Sequence, residues 1–332
     1  WLMKSADGGN TWSKPIKVNQ DGTRSHQFMT SIAVDQTNGE LHLVFYDRHK
    51  YKSSNNQTDV VWSMSKDGGN TFTQQTISEK SFLPDASMQF FRNYINNASP
   101  VGFETWGQKL WLDYLKPYVD THYVDPYGTA VGVINPDHPF RVVIEAHADE
   151  ISWFVNYITA DGLIYLKRNG GVDHQTAPAS RVFIHGKKGP VKAVFGWPAI
   201  HTRIGNADQK EQSPRVDNLW LDCGARSKKE VQALGIHIGA VVTYQDGFDE
   251  LANGNLIGRA FDNRIGGFMI AEVARLLKEN KKKLPFGLYV VNAVQEEIGL
   301  RGAEMIARRI KPHVAIVTDV THDTTTPMIS KN

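Results

Sequence analysis

Two adjacent carboxylates, Glu296 and Glu297, stand at the end of a short apolar run, residues 288–294, whose β-branched and aromatic composition predicts a buried strand. Ligands of open α/β sheets bind beyond the carboxyl ends of the strands, so paired acids in this place can do chemistry. Because neighbouring side chains point in different directions, one glutamate can bind a metal while the other takes a proton from water. The alternative is a solvated pair that the dipole of the following helix stabilises.

A second set of polar residues lies at the ends of other predicted elements. The apolar run 140–146 ends in His147, and Asp149 follows two residues later. His-x-Asp at a strand end is typical of a metal site, because the imidazole binds a cation and the carboxylate on the same side of the strand orients the imidazole. Asp262 stands just before a predicted helix, where it could also be a simple N-cap. Asp319 ends the last predicted strand, so we expect all these residues to share one site.

The composition narrows the classes of partner. At 332 residues, of which 41% are hydrophobic, the chain is long enough for two or three domains with proper cores. The 37 basic and 35 acidic residues give a net charge of +2, without a basic face interleaved with aromatic residues, which does not favour a nucleic-acid partner. A single cysteine, Cys223, excludes an internal disulfide. No stretch approaches the ~18 consecutive apolar residues of a membrane span, so we expect no membrane partner.

Residues 1–87 are polar and contain an internal repeat. Ser5-Ala-Asp-Gly-Gly-Asn-Thr-Trp12 recurs as Ser65-Lys-Asp-Gly-Gly-Asn-Thr-Phe72. The Asp-Gly-Gly core can close a tight hairpin because glycine accepts positive φ, and the aromatic residue after it can pack under the turn. Between the copies, short strands are predicted at residues 31–34, 41–46 and 60–64.

This first segment resembles the Asp-box repeats of sialidase-like β-propellers. Two boxes match roughly one blade, whereas a propeller closes from ~4–8 blades. The resemblance therefore implies an all-β fragment of a β-propeller, in which neither the arginine cluster nor the nucleophile of sialidases is identifiable. Its cellular location is left open.

The remaining chain is predicted to divide into three parts. Residues 88–157 and 256–332 show the strand and helix pattern of one α/β domain. Residues 158–255, rich in glycine and β-type runs, suggest a small, mostly β domain inserted between its halves. Within the insertion, residues 227–234 predict a helix capped by Ser227, because Glu230 follows three residues later.

From residue 88 to residue 332 the chain resembles metallopeptidase family forty-two, the di-metal aminopeptidases that include tetrahedral, deblocking and glutamyl aminopeptidases and are sometimes labelled endoglucanases. Four motifs in family order and spacing carry the resemblance: Ala146-His-Ala-Asp-Glu-Ile151, Gly258-Arg-Ala-Phe-Asp-Asn-Arg264, Val294-Gln-Glu-Glu-Ile-Gly-Leu-Arg-Gly302 and Thr318-Asp-Val-Thr-His322. The implied fold is a phosphorylase/hydrolase-like three-layer sandwich. The insertion would be the family's dimerisation domain, used to build homo-oligomers as large as dodecamers.

The resemblance also implies a centre of two divalent metal ions. His147 and Asp319 would hold one metal, Glu297 would help to hold the other, and Asp262 would bridge them. Carboxylates with one imidazole suit zinc, cobalt or manganese. Two cations ~3.5–4 Å apart can polarise a scissile carbonyl and bind a free α-amino group, which directs hydrolysis to peptide N-termini.

The same resemblance assigns Asp149 to orienting His147 and Glu296 to general base catalysis. It implies peptide substrates and a cytoplasmic location for this part of the chain. The family pattern continues with a strand, a helix and a histidine beyond Asn332, so we expect the second metal site to be incomplete and the activity reduced. Two alternatives stay open, namely a glycan-active or glycan-binding protein and a non-catalytic interaction fragment.

Overall fold

The computed structural model describes residues 1–20, 27–35, 37–50, 58–77, 85–203, 213–245, 247–252, 255–323 and 326–329. The chain separates into two compact units. The first is Trp1–Gln89 with Glu250–Leu256, and the second is Phe90–Asp249 with Ile257–Asn332. The domain bounds derived from the sequence stay predictions.

The first unit contains a four-stranded antiparallel sheet in the simple order β1-β2-β3-β4. Its strands are β1 (Gln27–Val34), β2 (Leu41–Asp47), β3 (Asp59–Ser65) and β4 (Thr73–Thr76). Strand β3 alternates between buried and partly exposed residues, which is the pattern of a strand with one covered face. The core of this unit is formed by Val18, Leu43, Phe45, Val61 and Phe72.

The two repeat copies fold into turns with the same hydrogen bonds. In the first, Asp7 accepts the backbone amide of Thr11 at 2.9 Å and its hydroxyl at 2.6 Å. In the second, Asp67 accepts the same two groups of Thr71 at 2.9 Å and 2.6 Å. These bonds lower the pKa of Asp7 to about 2, and the bonds from Thr71 lower the pKa of Asp67 as well. The two copies of the repeat therefore form the same turn, with equivalent side-chain hydrogen bonds.

The aromatic residues after the two turns differ in burial. Phe72 is 6% exposed and belongs to the core, as the repeat pattern predicts. Trp12 is 59% exposed, and its indole N–H donates to the carbonyl of Gly9 at 3.0 Å. Trp12 therefore contacts its own turn, as expected, but unlike Phe72 it remains largely exposed.

Helices and short helical turns alternate with the strands of the chain after residue 84. They are α1 (Asp85–Asn96), α2 (Thr105–Leu115), a 3-10 turn at Lys116–Tyr118, α3 (Ile200–Arg203), a 3-10 turn at Val216–Asn218, α4 (Lys228–Ala233), α5 (Phe261–Glu279) and α6 (Arg301–Ile310). Helix α4 has the predicted cap, since the Ser227 hydroxyl accepts the Glu230 amide at 3.2 Å.

A five-stranded mixed sheet in the order β17-β7-β16-β6-β5 positions the site in the second unit. Strands β7 (Arg141–His147), β16 (Gly287–Ala293) and β17 (Val314–Val317) run parallel. Strands β5 (Thr121–Val124) and β6 (Ala130–Ile134) complete the sheet in antiparallel pairing. Because parallel strands share one carboxyl edge, the residues that follow β7, β16 and β17 meet there.

Helices cover both faces of this sheet. On one face, Ile306 and Ile310 of α6 pack on Val291 and Ala293 of β16. Asn292 alternates with these two residues and points to the other face, where its side chain bonds to Tyr94 of α1 and Gln108 of α2. Helix α5 packs on β7, β16 and α2. The α/β architecture expected from the sequence is thus confirmed.

A closed barrel in the order β10-β11-β12-β9-β8-β13 interrupts the α/β part. Its strands are β8 (Ser152–Ile158), β9 (Ile164–Asn169), β10 (Arg181–Gly186), β11 (Gly189–Gly196), β12 (Trp220–Asp222) and β13 (Val241–Tyr244). The barrel therefore already includes Ser152, whereas the sequence placed residues 152–157 with the α/β part. Its core contains Trp153, Phe195 and Leu221. Two short strands, β14 (Asp249–Glu250) and β15 (Leu256–Ile257), follow. Within the described residues, no helix has the length and apolar character needed to cross a membrane.

Candidate metal centre

Four chain segments deliver polar side chains to the carboxyl edge of the sheet. His147 is the last residue of β7 and is 3% exposed. Glu296 and Glu297 follow β16, and Asp319 follows β17. Asp262 reaches the same place from the start of α5. The structure therefore brings together all five residues that the sequence assigned to metal binding and proton transfer.

The imidazole of His147 lies at the centre of this group. Its Nε2 atom is 3.0 Å from Asp262 Oδ1, 3.9 Å from Glu296 Oε2 and 4.0 Å from Asp319 Oδ1. Two sets of possible ligands share it, one with Glu296 and Glu297 and one with Asp262 and Asp319. In each set the ligand atoms lie within 4.8 Å of one another. One histidine is thus common to two adjacent carboxylate pairs.

The electrostatics of the cluster fit a divalent cation. Burial and then the charge of Asp262 raise the pKa of Glu297 to about 7, and burial also raises the pKa of Glu296. Burial alone would lower the pKa of His147, but its bonds to Asp149 and Asp262 outweigh this and raise it to about 10. Burial and the repulsion among the neighbouring carboxylates therefore favour the protonated forms of these groups. A cation held by one imidazole and several carboxylates would relieve the same repulsion, and this donor set suits zinc and similar metals.

Asp149 contacts the acidic turn as well as His147. Its carboxylate is fully buried and accepts the backbone amide of Glu296 at 3.0 Å and that of Glu297 at 3.1 Å. His147 Nδ1 lies 3.2 Å from the main-chain oxygen of Asp149 and 3.5 Å from its Oδ1 atom. The sequence predicted only the contact with the histidine. The bonds to the two amides were missed because they join segments that are far apart in the chain.

The side chain of Asp262 bonds to the imidazole of His147, with Oδ1 3.0 Å from Nε2. Its backbone is extended, with a φ of −79° and a ψ of 110°. The following Asn263 side chain donates to the carbonyl of Thr318 at 2.6 Å and accepts the amide of Gly266 at 3.1 Å. Asn263 thereby ties the start of α5 to the residue before Asp319. This link holds one carboxylate pair together.

A buried ion-pair cluster lies beside the centre. Glu150 accepts from Arg259 Nε at 2.7 Å and from Arg264 at 2.9 Å, and it also accepts the Ser99 amide at 2.7 Å. Burial would raise the pKa of Glu150, but the two guanidinium groups outweigh burial and lower it. These two ion pairs link the loop after β7 to the start of α5. In the sequence, only the placement of Glu150 and both arginines within the two motifs hinted at this cluster.

A cavity of about 570 Å³ opens next to the metal-ligand residues. Asp262 and Glu297 line it on the side of the centre, and Arg259, Tyr244 and Ile151 contribute other walls. Its lining combines apolar side chains with a few polar groups, as small-molecule sites commonly do. The cavity is therefore large enough for an amino-acid side chain beside the carboxylates.

An α/β sheet whose carboxyl edge carries one histidine between two carboxylate pairs is the arrangement expected of a metal-dependent hydrolase. The comparisons with known proteins narrow this class. The model of the peptidase family described as M42 glutamyl aminopeptidase matches residues 128–332. The chain therefore belongs to the M42 peptidase family.

Individual relatives agree with this assignment. SgcX of Escherichia coli (strain K12) is 36% identical over 249 residues, which are 74% of this chain and 62% of that protein. Lysyl aminopeptidase of Pyrococcus furiosus is 31% identical over 236 residues, which are 70% of this chain and 66% of that protein. The chain thus spans less than two thirds of the length of these relatives.

The fold is also that of a solved aminopeptidase. The TET aminopeptidase of Thaumarchaeota archaeon SCGC AB-539-E09 superposes with a TM-score of 0.70 at 29% sequence identity. The superposition covers 74% of this chain and 68% of that one. The α/β part and its motifs thus agree with the resemblance seen in the sequence.

Proposed function

We propose that this protein is a metal-dependent aminopeptidase that removes N-terminal residues from peptides. The observation that carries the proposal is the position of His147 between two carboxylate pairs at the carboxyl edge of the sheet, in a chain of the M42 family. Relatives named lysyl and glutamyl aminopeptidase support the reaction class. Peptides are therefore the substrate class to test first.

We assign the centre two divalent ions, with zinc, cobalt and manganese as candidates. His147, Asp262 and Asp319 would hold one ion, and Glu297 with the bridging Asp262 would hold the other. When bound, such ions act as Lewis acids that polarise a carbonyl and lower the pKa of water. The short distances from His147 Nε2 to Asp262 and Asp319 support the first set.

Glu296 is assigned to proton transfer. Its side chain is half-buried, its Oε2 atom lies 3.9 Å from His147, and Asp149 holds its backbone amide. A carboxylate in this place can take a proton from the attacking water and give it to the leaving amine. Because burial raises the pKa of Glu296, the group holds that proton more firmly than an exposed glutamate would. Asp149 would act indirectly, by orienting His147 and both glutamates.

The parts outside the centre receive separate assignments. We infer that residues 158–255 form contacts between copies of the chain, because the barrel has its own core and exposes the apolar side chains Val194, Leu234 and Ile238. Light scattering after size-exclusion chromatography measures the oligomeric state directly, and a monomer at micromolar concentration would contradict the proposal.

For residues 1–87 we propose a blade-sized propeller fragment, which the four-stranded sheet and its two equivalent turns support.

The decisive experiment compares substrates on the purified chain with zinc, cobalt or manganese added. We expect release of free amino acids from unblocked peptides and none from the same peptides acetylated at the N-terminus. A chelator should abolish the release. Reducing sugar liberated from polysaccharide, with no amino acid from any peptide, would instead favour the glycan-active alternative.

A further inference from the structure

Three consecutive backbone amides after β16 donate to buried carboxylates from other elements. The amides of Glu296 and Glu297 donate to Asp149, as described above. The preceding amide, that of Gln295, donates to Oε1 of Glu104 at 3.2 Å. The whole acidic turn is therefore held through its main chain by two carboxylates.

Glu104 is not among the residues that the motifs single out. It directly precedes α2, is 5% exposed, and uses the same oxygen to accept the Gly102 amide at 2.8 Å. Burying a carboxylate is costly unless hydrogen bonds replace its lost hydration. Burial accordingly raises the pKa of Glu104 to about 7, although its amide bonds oppose the shift. A residue kept under this cost needs a structural or functional reason.

The conformation of Gln295 indicates what that reason is. Its φ of 57° lies in the left-handed region, which residues other than glycine adopt infrequently. The side-chain oxygen of Gln295 accepts the hydroxyl of Tyr127 at 3.0 Å, and its backbone amide is bound by Glu104. Gln295 is thus held at both its side chain and its main chain. The direction in which the chain leaves Gln295 decides where the next two side chains point.

We propose that Glu104 is a positioning residue of the metal centre, which holds the Gln295 amide so that Glu296 and Glu297 meet His147. The inference deepens the proposed function and rests on it. Glu104 itself touches none of the metal-ligand side chains, and it acts only through the backbone of the turn. Asp149 accepts the later two amides, so loss of Glu104 would free the first amide of the turn, directly before the two glutamates.

The test compares Glu104→Ala, which removes the acceptor, with Glu104→Gln, which keeps one acceptor oxygen. Zinc affinity is measured by competition with a chelating dye, and exchange of the Gln295 amide by NMR on chain labelled with ¹⁵N-glutamine. We expect Glu104→Ala to weaken zinc binding about 10–100-fold, as loss of supporting partners commonly does. Exchange of the Gln295 amide should become faster. Glu104→Gln should remain within a few-fold of the unsubstituted chain in both measurements.

A matched control separates positioning from general loss of stability. Glu272 is also a buried glutamate, but it bonds to Arg275 of the same helix and to Tyr114. Glu272→Gln should lower the melting temperature and leave zinc affinity unchanged. The proposal is overturned if Glu104→Ala keeps both zinc affinity and Gln295 exchange, or if Glu272→Gln weakens zinc binding equally.

A second variant and the metal-free chain extend the test. If Glu104→Ala does not fold, Glu104→Asp, whose side chain is shorter by one methylene, carries the same expectation of weaker zinc binding and faster exchange. If the unsubstituted chain binds none of zinc, cobalt and manganese, the proposed function fails. In that case unchanged Gln295 exchange in Glu104→Ala would still overturn the inference on its own terms.

Discussion

The carboxylate of Asp149, two residues after β7, accepts the backbone amide of Glu296, three residues after β16, at 3.0 Å. Strands β7 and β16 are neighbours in register, with His147 opposite Ala293. The bond therefore extends the contact between the strands beyond the ends of the sheet. Because Asp149 also lies against His147, one buried side chain joins the imidazole to the acidic turn. The proposed metal centre thus depends on main-chain geometry as well as on its ligand side chains.

Replacing Asp149 should weaken metal binding without removing a ligand. Asp149→Asn keeps one acceptor oxygen but places an amino group against the second of the two amides, those of Glu296 and Glu297. We expect zinc affinity to fall about 10–100-fold, as for other outer partners of metal ligands. Titration calorimetry measures the change. Unaltered affinity would show that Asp149 has no part in shaping the centre.

The two adjacent glutamates should respond differently to the same substitution. Glu296→Gln should keep the bound metal and slow peptide hydrolysis roughly 10²–10⁴-fold, because a positioned general base contributes about that much. Glu297→Gln should instead lose metal. Metal content by mass spectrometry and turnover of an unblocked peptide give both results. Loss of metal with Glu296→Gln would mean that the roles of the two residues are exchanged.

Removal of His147 should empty the metal site that it is proposed to form with Asp262 and Asp319. His147 Nε2 lies 3.0 Å from Asp262 Oδ1 and 4.0 Å from Asp319 Oδ1. Because the other ion is assigned only carboxylate ligands, we expect His147→Ala to abolish tight metal binding in dialysed protein. The matched control is His313→Ala, since this histidine stacks on Phe140 and accepts the Arg141 amide away from the centre. Equal metal content in the two variants would contradict the assignment of His147 as a metal ligand.

The metal-free protein should lose stability as the pH rises towards neutrality. Burial raises the pKa of Glu104 from 4.5 to about 7, so the folded state binds more protons than the unfolded state between these values. Stability from this group is fully present below about pH 4.5 and is lost as the pH rises through about 7, on the order of 3 kcal/mol in all. The pKa of Glu145 is raised to about 7 and that of His147 to about 10. Both shifts change the stability with pH in the same direction as the shift of Glu104.

Thermal unfolding in the presence of a chelator measures this pH dependence. We expect the melting temperature to fall between about pH 5 and about pH 8. In Glu104→Gln, which cannot ionise at this position, the fall should be smaller. An equal fall in both chains would show that Glu104 ionises in the folded state as it does in the unfolded one.

The closest backbone approach beneath the acidic turn should not tolerate a side chain. A Cβ atom at Gly302 of α6 would lie 2.3 Å from the carbonyl oxygen of Val294 and 2.6 Å from its nitrogen. Gly302→Ala should therefore destabilise the protein by about 1–3 kcal/mol, the usual cost of overpacking. At the exposed Gly171 a Cβ atom would meet nothing within 4 Å, so Gly171→Ala is the control. Equal melting temperatures for both variants would contradict the geometry.

Much of the α/β part follows from local pattern. The strand that precedes Glu296 and the strand that precedes Asp319 are both short apolar runs. The first of them is buried, whereas the four residues of the second, at the edge of the sheet, are exposed. The cap of α4 is likewise local, because Ser227 and Glu230 lie within one turn. The sequence by itself therefore determined that acids and a histidine stand at the ends of strands and at the start of a helix.

Only the tertiary structure decided which of these ends meet. The parallel direction of β7, β16 and β17 depends on chain paths that no local periodicity records. The same holds for the 3.0 Å contact between His147 and Asp262, and for the bond from the Gln295 amide to Glu104. Each joins residues more than a hundred positions apart. The spacing of hydrophobic residues indicates which face of an element is buried. The hydrogen-bond partner of a buried polar group, in contrast, depends on the path of the whole chain.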